Sequence, residues 1–121
     1  MENVFNEKIL RDKNGKPYLK SNNYFFNISY CDNICVIAIS KKHKLGIDIV
    51  NKNDFVNENI YSEANKKNEE YISKNELFAI KESIIKYEGK TLKEINNIDI
   101  QKYKNLIKIY FKQYIVVICF G

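Results

Sequence analysis

Apolar residues gather into two kinds of run along this chain. Tyr24 to Ser29 (YFFNIS), Ile34 to Ser40 (ICVIAIS) and Leu45 to Val50 (LGIDIV) are short and dense in β-branched and aromatic side chains. Cys31-Asp32-Asn33 and Lys41 to Lys44 break them with turn-forming or polar residues, so each run predicts a strand. Three consecutive strands with short connections predict an antiparallel sheet. Upstream, residues 12 to 17 (DKNGKP) form a turn by composition, and Pro17 forces the residue before it toward an extended conformation. A strand should follow soon after.

From Asn51 to Asn59 the chain turns polar, and Glu58 to Tyr71 reads as helix or loop without firm limits. Ser73-Lys74-Asn75-Glu76 then fits a capping box, in which the serine accepts a first-turn amide and the glutamate reaches back. Leu77, Phe78, Ile80, Ile84 and Ile85 recur at helical spacing, and Gly89 is placed to end the helix. Ile95 to Ile100 reads as a short extended or turn segment. Leu106 to Phe111 and Tyr114 to Phe120, around Lys112-Gln113, predict a closing hairpin. Strands, helix, then strands give an α+β fold, a small antiparallel sheet packed against one long helix. No repeat, low-complexity tract or linker interrupts it, and 121 residues suit a single domain over 1–121.

Two charged features disturb this pattern. At 100° per residue the helix's apolar arc centres between Leu77 and Phe78, which puts Lys81 inside it and Glu82 and Lys86 together on one flank. Glu82 and Lys86 make an i,i+4 pair in the favoured order, a bland account for both. Lys81 could lay its methylenes on the core and lift its ammonium to solvent. Asp48 is a lone carboxylate in LGIDIV, on the face opposite Ile47 and Ile49. If that face meets the helix, Asp48 and Glu82 could share a divalent cation, and magnesium suits a site with few carboxylates and phosphates at its remaining positions. The alternative is a solvated aspartate on an open sheet face.

Composition adds little to this. The net charge of +5 comes almost wholly from lysine, with Arg11 the sole arginine. Specific nucleic-acid readers rely on arginine forks, and no stacking motif or basic stripe emerges, so nucleic acid is not expected as a partner. A basic balance suits anionic ligands in general. Cys31, Cys35 and Cys119 lack ligand-like spacing and read as small buried residues in a reducing compartment. MENVFNEKIL has acids and asparagines where a signal peptide needs an apolar core, and no run approaches the roughly 18 apolar residues of a membrane span. The expectation is a cytoplasmic protein with no membrane partner.

Gly15-Lys16-Pro17, the FNIS segment Phe26 to Ser29, GIDI at Gly46 to Ile49, and KESxxKxxGKxL at Lys81 to Leu92 occur here in order. Together, from about Asn14 to Leu92, they resemble the 4′-phosphopantetheinyl transferases, particularly the surfactin-synthetase-activating type. That resemblance implies an enzyme that moves the phosphopantetheine arm of coenzyme A onto a serine of an acyl or peptidyl carrier protein. Asp48 and Glu82 would ligate Mg2+ on the pyrophosphate, and Glu82 would also help deprotonate the attacking serine. Lys86 would offset charge developing on the pyrophosphate oxygens. Lys16 and Pro17 would border the nucleotide, and Ser29 with Tyr30 would meet the 3′-phosphate.

The chain departs from that pattern at several positions. Tyr30 stands where the family usually has histidine, Val50 replaces the second acid of GIDIE, and a further acid falls at Asn65, for which Glu63 or Glu69 could substitute. Fewer carboxylates weaken a magnesium site. Most of the first of the family's two similar halves is also missing from this sequence. A homo-oligomer could then complete the site between subunits. The alternative is a catalytically degenerate relative that keeps a coenzyme A or carrier-protein site.

Overall fold

The computed structural model describes residues 3–4, 7–13, 15, 17–19, 24–54 and 72–121. Among these residues, eight strands and one long helix follow in the order β1 (Asn3–Val4), β2 (Glu7–Arg11), β3 (Pro17–Leu19), β4 (Phe25–Cys31), β5 (Ile34–Ser40), β6 (Leu45–Asn51), α1 (Lys74–Glu88), β7 (Leu106–Phe111) and β8 (Tyr114–Phe120). The fold is α+β, with small antiparallel sheets and one long helix, as the run pattern implies.

Strand pairing corrects one expectation. β4 and β5 form a hairpin closed by Asp32 and Asn33, but β6 does not continue it. Instead β6 pairs with β8, and the second sheet has the order β6-β8-β7. Local spacing favours a meander, whereas burial decides the outcome: Ile47 and Ile49 lie between Ala38 on β5 and Tyr114 and Val116 on β8. The β1 and β2 strands carry no clear apolar run, and only the pairing of β1 with β2 and of β2 with β3 defines them.

Period-two alternation separates two cores. Leu45, Ile47 and Ile49 with Tyr114 and Val116 face the β4–β5 hairpin. On the other face Ile115, Val117 and Cys119 meet Leu77, Ala79, Ile80, Ile84 and Ile85 of α1, with Val50 packed alongside. Burying a Val, Leu or Ile side chain is worth about 1.5–3 kcal/mol, so these two faces fix the register of β6 and β8. A one-residue slip would put Asp48 in the apolar layer.

α1 begins and ends as its sequence signals require, with one substitution of partners. Ser73 accepts the Glu76 amide at 3.2 Å, but the Glu76 carboxylate turns to β7, accepting Tyr110 Oη at 2.7 Å and Lys108 Nζ at 3.2 Å. Gly89 takes the left-handed conformation, φ 70°, and Lys90 donates to the Ile85 carbonyl, completing a Schellman stop. The buried arc runs through Ala79 and Ser83 and centres between Ile80 and Ile84, away from Phe78. Small residues do not register as apolar, yet they let the helix sit close to β6. Lys81 is 0% exposed, so its ammonium does not reach solvent as expected.

Two smaller outcomes follow from position. Leu92–Asn97 and Ile100–Lys102 wind into 3-10 turns, the turn rather than the extended alternative for this segment. Of the cysteines only Cys119 is buried; Cys35 is exposed, opposite Tyr30 near the hairpin tip. No helix among the described residues is long and apolar enough to cross a membrane.

Candidate functional site

The site begins with a glycine. A Cβ on Gly46 would overlap the backbone of Ser83 and Tyr87, so only glycine lets α1 settle onto β6 at this point. Asp48 lies two residues further on the same face, beside the helix flank that carries Glu82 and Lys86. The strand that carries Asp48 and the helix that carries Glu82 and Lys86 therefore pack closely, because a residue without a side chain lies under the helix backbone at Ser83 and Tyr87.

Asp48 is 7% exposed, and burial is the main force acting on it. Its carboxyl is pushed up to about 7, chiefly by desolvation; Lys86 opposes the shift and the charge of Glu82 adds to it. Burial also raises Glu82, against the pull of Lys86. The charge of Glu82 thus disfavours ionisation of Asp48, a situation in which a bound cation is useful.

The oxygens of Asp48 differ. Oδ1 accepts the Ser29 hydroxyl at 3.0 Å and lies 3.6 Å from Lys86 Nζ. Oδ2 is buried without a hydrogen-bond partner. An orphaned, buried carboxylate oxygen beside a second carboxylate fits a divalent cation, so Asp48 and Glu82 are the residues that could hold one. Val50 contributes no ligand, because it packs against the helix-side core.

Lys86 spans a split between strands. β4 runs beside an edge of β6, but side chains rather than a main-chain ladder join them, Ser29 Oγ to Asp48 Oδ1 among them. Asn27 Oδ1 accepts the Ile47 amide at 2.8 Å, and Ser29 Oγ accepts the Ile49 amide at 3.4 Å. Lys86 Nζ donates to the Ile47 carbonyl at 2.8 Å and lies 3.5 Å from the Ile28 carbonyl. The polar alternation Asn27, Ser29 in an otherwise apolar strand was the sequence signal for this seam.

Beyond the seam opens a pocket of about 170 Å³ lined by Arg11, Gly15, Pro17, Asn27, Ile28, Tyr30, Lys86, Gly89 and Lys90. Among the described residues, three cationic side chains and no acid line it, so it favours an anion. Arg11 Nη1 is tied to the Gly15 carbonyl at 2.9 Å, which orients the guanidinium at the β2–β3 turn. Tyr30, 63% exposed, stands at the wall.

Most of the residues singled out from the sequence come together. Asp48, Glu82 and Lys86 form one cluster, and Lys86 connects it to the pocket that Pro17 and Tyr30 line. Ser29 is buried beneath, bonded to Asp48 rather than open to the pocket. Lys16 and Asn65, with Glu63 and Glu69, lie outside the described residues. Sequence reasoning missed Arg11, Asn27 and Lys90. Arg11, the sole arginine, sits four residues before Gly15, and Lys90 follows the helix stop, two positions that a search for anion ligands beside turns would have flagged.

A second group, Cys31, Asp32 and Asp54, brings its ligand atoms within 4.8 Å of one another. Asp32 Oδ2 there accepts Tyr114 Oη at 2.8 Å and Asn51 Nδ2 at 3.2 Å, so this cluster fastens the β4–β5 turn to β6 and β8.

No protein-family model matches the chain. Among curated proteins it is similar to the 4'-phosphopantetheinyl transferase gsp of Aneurinibacillus migulanus, 37% identical over 121 residues that cover 89% of this chain and 50% of that protein. The chain thus spans about half the length of the curated relative it matches.

Proposed function

This chain belongs to the 4′-phosphopantetheinyl transferase superfamily, and on that premise we propose that it transfers the 4′-phosphopantetheine arm of coenzyme A to a serine of an acyl or peptidyl carrier protein, with Mg2+. The observation that supports this reading is that Lys86 lies 3.6 Å from Asp48, which feels the charge of Glu82, and at the same time lines a pocket with Arg11 and Lys90. Phosphoryl-type transfer needs little else from a protein than positioning and charge stabilisation.

In this reading the nucleotide phosphates of coenzyme A occupy the basic pocket, with Arg11, Lys90 and Tyr30 around the 3′-phosphate and Pro17 beside the base. Asp48 and Glu82 hold the cation, which when bound would neutralise charge on the pyrophosphate. Glu82, only partly buried, is the better placed of the two acids to accept the proton of the attacking serine, since a base must be within reach of the proton it takes, whereas Asp48 is buried and bonded to Ser29. Lys86 keeps a positive charge at the junction of pocket and carboxylates. A basic surface suits an acidic carrier protein.

A second reading has its own support. Val50 fills with apolar packing the place of a third carboxylate. A chain that binds coenzyme A or a carrier protein without turnover would tolerate that change.

Incubation of the purified protein with Mg2+, coenzyme A and several apo carrier proteins separates the two. A phosphopantetheine mass added to a carrier, and lost in Glu82→Gln, is the result expected of a transferase. Coenzyme A binding with no mass added to any carrier would overturn it in favour of the binding protein.

A further inference from the structure

The Asp48 carboxylate is held by one oxygen only. Oδ1 takes the Ser29 hydroxyl at 3.0 Å with Lys86 Nζ at 3.6 Å, while Oδ2 is buried and has no hydrogen-bond partner. Ser29 itself is 5% exposed, and its oxygen accepts the Ile49 amide at 3.4 Å. A hydroxyl has a single proton to donate, and here it goes to Asp48. None is left for a phosphate in this arrangement, although the resemblance of the FNIS segment implies a phosphate contact for Ser29.

We propose that Ser29 is a positioning residue for a divalent cation: by gripping Oδ1 it fixes the carboxylate plane so that Oδ2 is the oxygen presented to the metal. The inference rests on the assignment of Asp48 as a metal ligand, but not on catalytic turnover. Its physical basis is general. Carboxylates that bind metals are themselves held by hydrogen bonds, and removal of such a partner typically lowers metal affinity about 10–100-fold. Ser29 belongs to β4 and Asp48 to β6, so the same hydrogen bond also joins the two strands where no main-chain ladder does. Metal affinity and closure of the seam are therefore served by one hydroxyl.

The test is Mn2+ binding to the purified chain, read by electron paramagnetic resonance without coenzyme A or carrier, for the wild type and for Ser29→Thr, Ser29→Val and Asp48→Asn. Threonine and valine add nearly the same volume at a buried position and differ in the hydroxyl, so packing disturbance cancels between them. Adenosine 3′,5′-bisphosphate binding in EDTA, followed by calorimetry, is the parallel measurement. Expected is a wild type that binds Mn2+, a loss in Asp48→Asn, and a Ser29→Val affinity weaker than that of Ser29→Thr by about tenfold or more, with nucleotide binding equal in the two. Should both larger side chains prevent folding, Ser29→Ala, which adds no atom, is expected to show the same loss of Mn2+ affinity. Equal Mn2+ affinity with and without the hydroxyl, a loss of nucleotide affinity in its place, or a wild type that binds no Mn2+ would each overturn the proposal. Hydroxyl-dependent Mn2+ binding in a protein that modifies no carrier would sustain it while removing the transferase reading.

Discussion

Gly46 lies so close beneath Ser83 that any side chain on it would overlap the helix backbone, and this contact holds β6, which carries Asp48, against α1, which carries Glu82. The obstacle is main chain, which cannot swing aside as a side-chain tip can. Gly46→Ala should therefore lift the helix from the strand and cost about 2–4 kcal/mol, within the range of overpacking at buried sites. Urea denaturation is the measurement, and a midpoint unchanged from wild type would mean that α1 does not sit on β6 at this position.

The raised carboxyl of Asp48 makes stability depend on pH in a defined direction. Its folded value, about 7, lies above the ordinary aspartate value of 3.8. Between the two, the folded chain keeps a proton that the unfolded chain has released, so stability falls as pH rises from about 4 to about 7 and levels off above. Asp48→Asn removes this burden. The variant should be more stable than wild type by about 1–3 kcal/mol at pH 8, with the difference shrinking toward pH 4, even though the proposed metal site is lost. Denaturation midpoints across that pH range, without added metal, decide it; a variant less stable at pH 8 than wild type would contradict the assignment.

At the start of α1, Ser73 and Tyr110 act on the same turn from opposite sides. Ser73→Ala should cost about 0.5–2 kcal/mol through the lost cap. Tyr110→Phe should cost about 0.5–1.5 kcal/mol by removing one hydrogen bond to Glu76. Because both act on Glu76 and its amide, the double variant should lose measurably less or more than the sum of the two. Strict additivity in a double-mutant cycle would separate the cap from the strand latch.

For the anion pocket, Arg11→Ala and Lys90→Ala should each weaken adenosine 3′,5′-bisphosphate binding about 5- to 20-fold at low salt, since a charge-assisted contact is worth about 1.5–3 kcal/mol partly offset by solvent. The loss should shrink as salt rises, because both side chains are exposed. Calorimetry at two ionic strengths measures it. If both variants bind as the wild type does, the ligand phosphate lies elsewhere.

What the sequence by itself determined were the pieces. The apolar runs at Tyr24–Ser29, Ile34–Ser40, Leu45–Val50, Leu106–Phe111 and Tyr114–Phe120 fell within strands to within a residue or two, and the signals at Ser73 and Gly89 bounded the helix, because dihedral preference, alternation and capping are properties of neighbouring residues. The residues KESxxK and GIDI stood out for the same local reason: charges interrupted an apolar period. Pairing was another matter. That β6 joins β8, some seventy residues on, rather than β5 nearby, depends on which faces can be buried together, and no local preference encodes that. Nor could spacing assign the partners of single atoms. Glu76 was expected to reach back to its own cap and instead crosses to Tyr110 and Lys108; Ser29 was expected to face a ligand and is bonded to Asp48. Lys81 was expected to reach water and is enclosed. In each case the side chain's destination was set by elements distant in sequence, and only the packed fold brings those elements within a hydrogen bond's length.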